Sequence, residues 1–169
     1  MNKITPNHVI FHEVQTVRTS WIWGLVIIPP VIMIYGMIQQ LVFKKPWGNN
    51  PMSDAGLVIV GLMVIIGPPL FVYFVRLEIQ IRNDGVYYRY APFHLRFQCI
   101  QLTHLKSYQI IQYRPLRDYG GWGIRYGKYG KAYTLSGNTG FQLVTADQKK
   151  ILLGTLKAEE LKRALDSIR

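Results

Sequence analysis

Residues 21–43 read WIWGLVIIPPVIMIYGMIQQLVF, and residues 55–75 read AGLVIVGLMVIIGPPLFVYFV. The first run has 23 residues, the second 21, and neither contains a formal charge. At about 1.5 Å rise per residue each helix would reach roughly 30 Å, the thickness of a hydrocarbon core. Core helices of soluble proteins seldom run this long without a charge, so both runs are expected to span a membrane. Trp21 and Trp23 open the first run and Trp47 lies just past its end, positions where indole rings act as membrane-interface anchors.

The linker, Lys44 to Asp54, is short and turn-rich, with Pro46, Trp47-Gly48-Asn49-Asn50-Pro51 and an Asp54 suited to cap the second helix. So short a connection predicts an antiparallel hairpin with both chain ends on one side. Lys44 and Lys45 mark the linker side, whereas Lys3, Arg18, Arg76, Arg82 and Arg89 mark the other. This excess puts both termini in the cytoplasm. The first apolar run is too long for a signal-peptide core and lacks a small-x-small cleavage site, so no cleaved leader is expected. No lipidation motif is present.

Pro29-Pro30 interrupts the first run, and Pro68-Pro69, preceded by Gly67, interrupts the second. Proline removes a backbone donor and crowds the preceding turn, so helix kinks are expected there. Broken helices also build transporter sites. Ion and proton paths usually need ionisable groups, and neither run has one. Gln39 and Gln40 are the most polar residues available, near the exit of the first run.

Beyond Val75 the period changes. Leu77, Ile79 and Ile81 alternate with Glu78, Gln80 and Arg82, as in a half-buried strand, and Asn83-Asp84-Gly85 offers a hairpin turn through residues tolerant of positive φ. Further strands are predicted over Val86–Tyr90, the alternating Phe93, Leu95 and Phe97, Leu105–Tyr113, Phe141–Val144 and Lys150–Leu153. Leu161, Ala164, Leu165 and Ile168 then share one helical face, with Glu159 and Glu160 early and Lys162 and Arg163 late, in accord with the helix dipole. The chain therefore divides into an N-terminal juxtamembrane segment (1–20), a transmembrane hairpin (21–75) and a cytoplasmic domain (76–169). The expected fold class is α+β: a two-helix hairpin followed by a small antiparallel β-barrel or roll closed by a C-terminal helix.

Glu13-Val-Gln15, Pro46-Trp47-Gly48-Asn49 with Pro51, the string Tyr113-Arg-Pro-Leu-Arg-Asp-Tyr-Gly-Gly-Trp-Gly-Ile-Arg125, Lys131-Ala132-Tyr133 and Gly137-Asn138 carry a resemblance. The chain resembles uncharacterised prokaryotic membrane proteins that join a two-span hairpin to a bacterial pleckstrin-homology (PH)-like cytoplasmic domain. The resemblance implies a PH-like fold, the cytoplasmic membrane as location and no particular reaction.

The segment Arg114–Gly140 is rich in glycine, tyrosine and cations. Arg114, Arg117, Trp122, Arg125, Lys128 and Lys131 are the candidate partner- or lipid-contact residues. Asp118 is the one acid in the segment, placed to pair with Arg114, Arg117 or Arg125. No phosphate-loop or dinucleotide fingerprint accompanies the glycines. Of the 20 Lys and Arg, 16 fall in residues 76–169, beside 7 of the 9 acids, so the domain carries most of the net charge of +11. Such a surface suits anionic lipid head groups or an acidic protein. Nucleic acid is not an expected partner, because no binding-module motif appears and the domain is tethered to a membrane.

Catalytic groupings are sparse. His8 and His12 could share a helical face beside Glu13, yet they have no third ligand, so no metal is expected. Cys99, between His94 and His104, reads as a buried inert thiol, and a single cysteine excludes an internal disulfide. No cofactor is expected. The reading is a non-enzymatic, membrane-anchored interaction or scaffold module, engaging the lipid bilayer and an unidentified membrane or cytoplasmic protein. It could be a subunit of a larger assembly or a homo-oligomer, with Gly24, Gly36, Gly56, Gly61 and Gly67 offering small packing surfaces. Alternatives are a specific anionic-lipid sensor and a small transport or channel subunit.

Overall fold

The structure, a computed structural model, describes residues 8–17 and 20–168. The chain forms two compact units. One is Val17–Phe74; the other combines the residues up to Thr16 with those from Val75 onward.

The first unit is a helical hairpin. Helix α1 (Ser20–Met37) continues as a five-residue π-helical turn, Ile38–Val42, and helix α2 covers Asp54–Phe74. Both are long and apolar enough to cross a membrane. The Pro29-Pro30 and Pro68-Pro69 pairs lie inside continuous helices, and a π-helical turn follows Met37. The helices run antiparallel: a Cβ on Gly61 would come within 2.5 Å of the Met37 sulfur, and Gln40 reaches Asp54. Trp47 folds back so that its indole occupies the space above Gly36, where a Cβ would lie 2.5 Å from the ring. Gln40, buried within this hairpin, fastens the linker. Its amide donates to the Met52 carbonyl (2.7 Å) and to Asp54 Oδ1 (2.8 Å), and its Oε1 accepts from Trp47 N–H (3.4 Å). Asp54 is therefore engaged by Gln40, and the Ser53 hydroxyl takes the cap position by accepting Gly56 N–H at 3.3 Å.

The second unit contains two sheets. The first has the order β1–β2–β3–β4, with β1 Val9–Thr16, β2 Arg76–Arg82, β3 Gly85–Ala91 and β4 Gln98–Gln101, all antiparallel. The second has the order β5–β8–β9–β7–β6, with β5 Leu105–Gln112, β6 Gly123–Gly127, β7 Gly130–Thr134, β8 Thr139–Thr145 and β9 Lys150–Gly154. Its β7–β9 pair is parallel, and the other pairs are antiparallel. The expected small antiparallel barrel or roll with a C-terminal helix is thus an α+β unit of two separate sheets with no closed barrel, and one of its strand pairs is parallel. Short helix α3 (Pro115–Tyr119) follows β5, and α4 (Ala158–Asp166) packs against strands of both sheets. The core joins Leu77, Ile79, Ile81 and Val86 of the first sheet, Phe141, Leu143, Leu152 and Leu153 of the second, and Leu161 and Leu165 of α4.

Three local expectations are corrected. Residues 9–16, read as juxtamembrane chain, form β1, so His12 sits on a strand and not on a helical face. The stretch through Phe93, Leu95 and Phe97 is a loop in place of a strand; Phe93 follows Pro92, and Leu95 is exposed. The β2–β3 turn forms where expected, but without positive φ. Gly85 is required instead by a close approach, since a Cβ there would collide with the Ile100 carbonyl oxygen.

The alternation of β1 buries Phe11, Glu13 and Gln15. Glu13 is only 5% exposed and, among the described residues, forms no ion pair. Its Oε2 accepts from the Thr155 hydroxyl (2.5 Å), and its Oε1 accepts from Leu156 N–H (2.9 Å) and the Gln15 amide (3.0 Å). Gln15 also donates to the Gly154 carbonyl at 2.8 Å. This clasp ties the first strand to the junction between β9 and α4, and it gives the Glu13-Val-Gln15 signature a structural role. On the other side of the sheet Glu78 is buried by two arginines, Arg76 (2.9 Å) and its cross-strand partner Arg89 (2.8 Å).

Candidate functional site

The six contact candidates divide into two groups. Arg114, Arg117 and Lys128 come together with Gln112, Asp118 and Tyr129 around an open cleft of about 460 Å³. Local chemistry explains how. Pro115 at the start of α3 matches the fixed φ of a first helical turn, and Asp118 Oδ2 accepts Arg114 N–H at 2.9 Å, which holds the turn closed. Gly120 then adopts φ +70°, ending the helix with its own N–H on the Leu116 carbonyl (3.0 Å) and the Gly121 N–H on the Pro115 carbonyl (2.9 Å). The β6–β7 hairpin approaches α3 so closely that a Cβ on Gly127 would overlap the Asp118 carbonyl oxygen and the Tyr119 ring. That glycine lets Lys128 reach the cleft.

The cleft's charge is unbalanced. Arg114, Arg117 and Lys128 contribute three cations against Asp118, whose carboxylate caps the backbone. Among the described residues, the ion pairs are Arg76–Glu78, Arg89–Glu78, Lys149–Asp147 and Lys157–Glu160, none of them at the cleft. Lys128 additionally lies 5.2 Å from the Tyr129 ring centroid.

Trp122, Arg125 and Lys131 are used elsewhere. Trp122 is half-buried and donates its indole N–H to the Gly137 carbonyl (3.0 Å), while Arg125 Nε donates to the Trp122 carbonyl (3.4 Å). Lys131 lies over the Tyr133 and Tyr126 rings at 5.1 and 5.5 Å, and hydrogen bonding to the Tyr133 hydroxyl raises its ammonium above the usual range. Trp122 thus ties the entry of the β6–β7 hairpin to the turn after β7, while Arg125 and Lys131 make their contacts within the hairpin and its entry. Within the hairpin unit, Trp23 donates to the Val17 carbonyl (3.0 Å), Trp47 packs on Gly36, and Trp21 is exposed.

Sequence reasoning missed Gln112 and Tyr129 as lining residues. Gln112 closes a strand and Tyr129 sits in a hairpin turn, and only the pairing of β5 with β8 and of β6 with β7 brings them to one cleft. A second cleft is lined by Cys99, Gln101, His104, Thr145 and Asp147. Cys99 is exposed there, not buried as expected. Among the described residues, no group of three or more His, Cys, Asp or Glu could hold a metal ion.

A family model described as a family of unknown function (DUF6141) matches residues 3–167, and the chain belongs to that family. No curated protein and no solved structure matches it.

Proposed function

We propose that this member of the family is a membrane-anchored, non-enzymatic interaction module. Its hairpin spans the cytoplasmic membrane, both termini are cytoplasmic, and its PH-like extramembrane domain offers a cationic cleft to an acidic segment of a partner protein. The observation that carries the reading is the convergence of Arg114, Arg117 and Lys128 on one cleft without a matching set of acids. Clustered guanidinium groups recognise carboxylates through paired N–H donors, a geometry that a single lysine cannot supply.

The register of the first sheet supports the anchoring. Thr16 of β1 pairs with Arg76 of β2, α1 begins at Ser20 and α2 ends at Phe74. The hairpin is therefore an insertion in the chain between two neighbouring strands, following Thr16 and preceding Arg76, which pair in one ladder. A hairpin entered and left at one point sends both spans from the same side of a bilayer. The lysine and arginine count near the spans makes that side cytoplasmic. Gln40 argues against transport, since its amide fastens the linker.

The test is a charge reversal in full-length protein. Wild type and Arg117→Glu/Lys128→Glu are purified from native membranes in mild detergent, and bound proteins and lipids are identified by mass spectrometry. A stoichiometric protein partner lost from the variant, at unchanged thermal stability, supports the reading. A partner that persists on the variant refutes the cleft as its site. Recovery of one anionic lipid alone, lost on charge reversal, would assign the cleft to a lipid head group instead.

A further inference from the structure

We infer that the β3–β4 loop is a second, apolar membrane contact, a finger that enters the lipid interface beside the point where the chain leaves for its hairpin. The inference rests on the hairpin spanning a bilayer. Its own evidence is the position and chemistry of residues 92–97.

Position follows from register. Ala91, the last residue of β3, pairs with Arg76, the first of β2, and Arg76 pairs with Thr16, the last of β1. The loop therefore leaves the sheet at the end where β1 runs toward α1 and β2 begins after α2. It returns at Gln98, which pairs with Tyr88. His94 N–H on the Tyr90 carbonyl (2.8 Å) and the Phe93 ring 6.1 Å from that of Tyr90 brace the loop against the sheet.

Chemistry follows from exposure. Leu95, at the loop's tip, is 86% exposed and Phe93 is 62% exposed. Arg76 and Arg96, both exposed, flank the apolar tip. Apolar side chains with cations around them are the composition of segments that lie at the boundary of head groups and acyl chains. The occupant is a lipid surface: a short apolar tip in water gains by burial in acyl chains, and the flanking arginines match the anionic inner leaflet.

The experiment places an environment-sensitive fluorophore on single cysteines in full-length Cys99→Ser protein, reconstituted in phosphatidylcholine–phosphatidylglycerol vesicles containing a lipid with a quencher high on its acyl chain. The labelled positions are Leu95→Cys at the tip, Ala146→Cys in the exposed β8–β9 turn, and Ile28→Cys within α1. The expected result is strong quenching at 95 and at 28, little at 146, and no loss of the signal at 95 in high salt. Quenching at 95 no greater than at 146, with 28 quenched, overturns the finger and leaves the spanning hairpin intact. Quenching at 95 that vanishes in high salt assigns the contact to charge alone and also overturns it. Absence of quenching at 28 removes the spanning hairpin, and the finger with it.

Discussion

Replacement of Glu13 tests whether the buried clasp holds β1 in place. In Glu13→Ala the Thr155 hydroxyl and the Leu156 N–H lose their acceptor, whereas the Gln15 amide keeps the Gly154 carbonyl. Each buried donor left unpaired costs about 1–3 kcal/mol, and the vacated volume adds to that, so a loss of about 3–5 kcal/mol is expected. Glu13→Gln should behave differently. Its carbonyl oxygen can accept from Leu156 and Gln15, and its amide can donate to the Thr155 hydroxyl, which also accepts from Lys157 N–H (3.0 Å). The charge-assisted part of the bonding is lost and the Thr155 hydroxyl hydrogen must turn to another acceptor, about 1–2 kcal/mol in all. The assay is urea unfolding of full-length protein in detergent, followed by tryptophan fluorescence, with hydrogen exchange at the β1 amides as a local reading. Faster exchange along Val9–Thr16 in Glu13→Ala, with Glu13→Gln near wild type, is the expected pattern. Equal damage from both variants, or an alanine variant within about 1 kcal/mol of wild type, would refute the clasp.

Other sites give sharper single readings. Gly127→Ala would drive a methyl into the Asp118 carbonyl and the Tyr119 ring, so unfolding free energy should fall by about 1–3 kcal/mol and partner recovery should fall with it. Gln40→Leu strips Met52 and Asp54 of their donor and should lower the thermal midpoint of the hairpin, read by circular dichroism in detergent. Burial pushes Tyr90, Tyr113 and Tyr119 up to about 12, and pushes Tyr88 up as well. Their folded-state values lie above the ordinary 10.0, so their contribution is complete below pH 10 and lost as pH rises toward 12; an alkaline titration of fold should show a steep transition there. His94 has the opposite sign. Burial first, and the charge of Lys131 second, lower it beneath the ordinary 6.5, so stability present above that value should decline as pH falls below it, and His94→Phe should flatten the decline.

The hairpin could be read from the sequence because each long helix reports itself: charge is missing over a continuous stretch, and no distant residue is needed to see it. Strands β2, β3, β5, β8 and β9 also showed local alternation or turn residues. Strand β1 alternates too, but its buried positions include Glu13 and Gln15, polar residues that look solvent-facing until Thr155, Leu156 and Gly154 are placed against them. Strands β6 and β7 are hidden by Gly123, Gly127 and Gly130, which serve turns and close approaches and break any apolar period. The cationic segment was visible as composition. Its division was not: that Arg117 and Lys128 share a cleft while Lys131 turns onto Tyr133 depends on a hairpin folding back over α3.

The order of the chain also constrains how the two-sheet unit is completed. Strand β1 precedes the other described elements, yet its ladder partner β2 follows both long helices, and its clasp partners Gly154, Thr155 and Leu156 lie at and just after the end of β9. Until those residues arrive, the Glu13 carboxylate lacks its Thr155 and Leu156 donors, which favours keeping it in water. The pairing of Thr16 with Arg76, which brings the two ends of the hairpin together, is thus reinforced only once the last strand is in place. Truncation before Gly154 should then leave the helices formed but β1 unprotected in hydrogen exchange. Native-like protection of Val9–Thr16 in that truncation would show that the β1–β2 ladder is self-sufficient and that Glu13 is only an accessory to it.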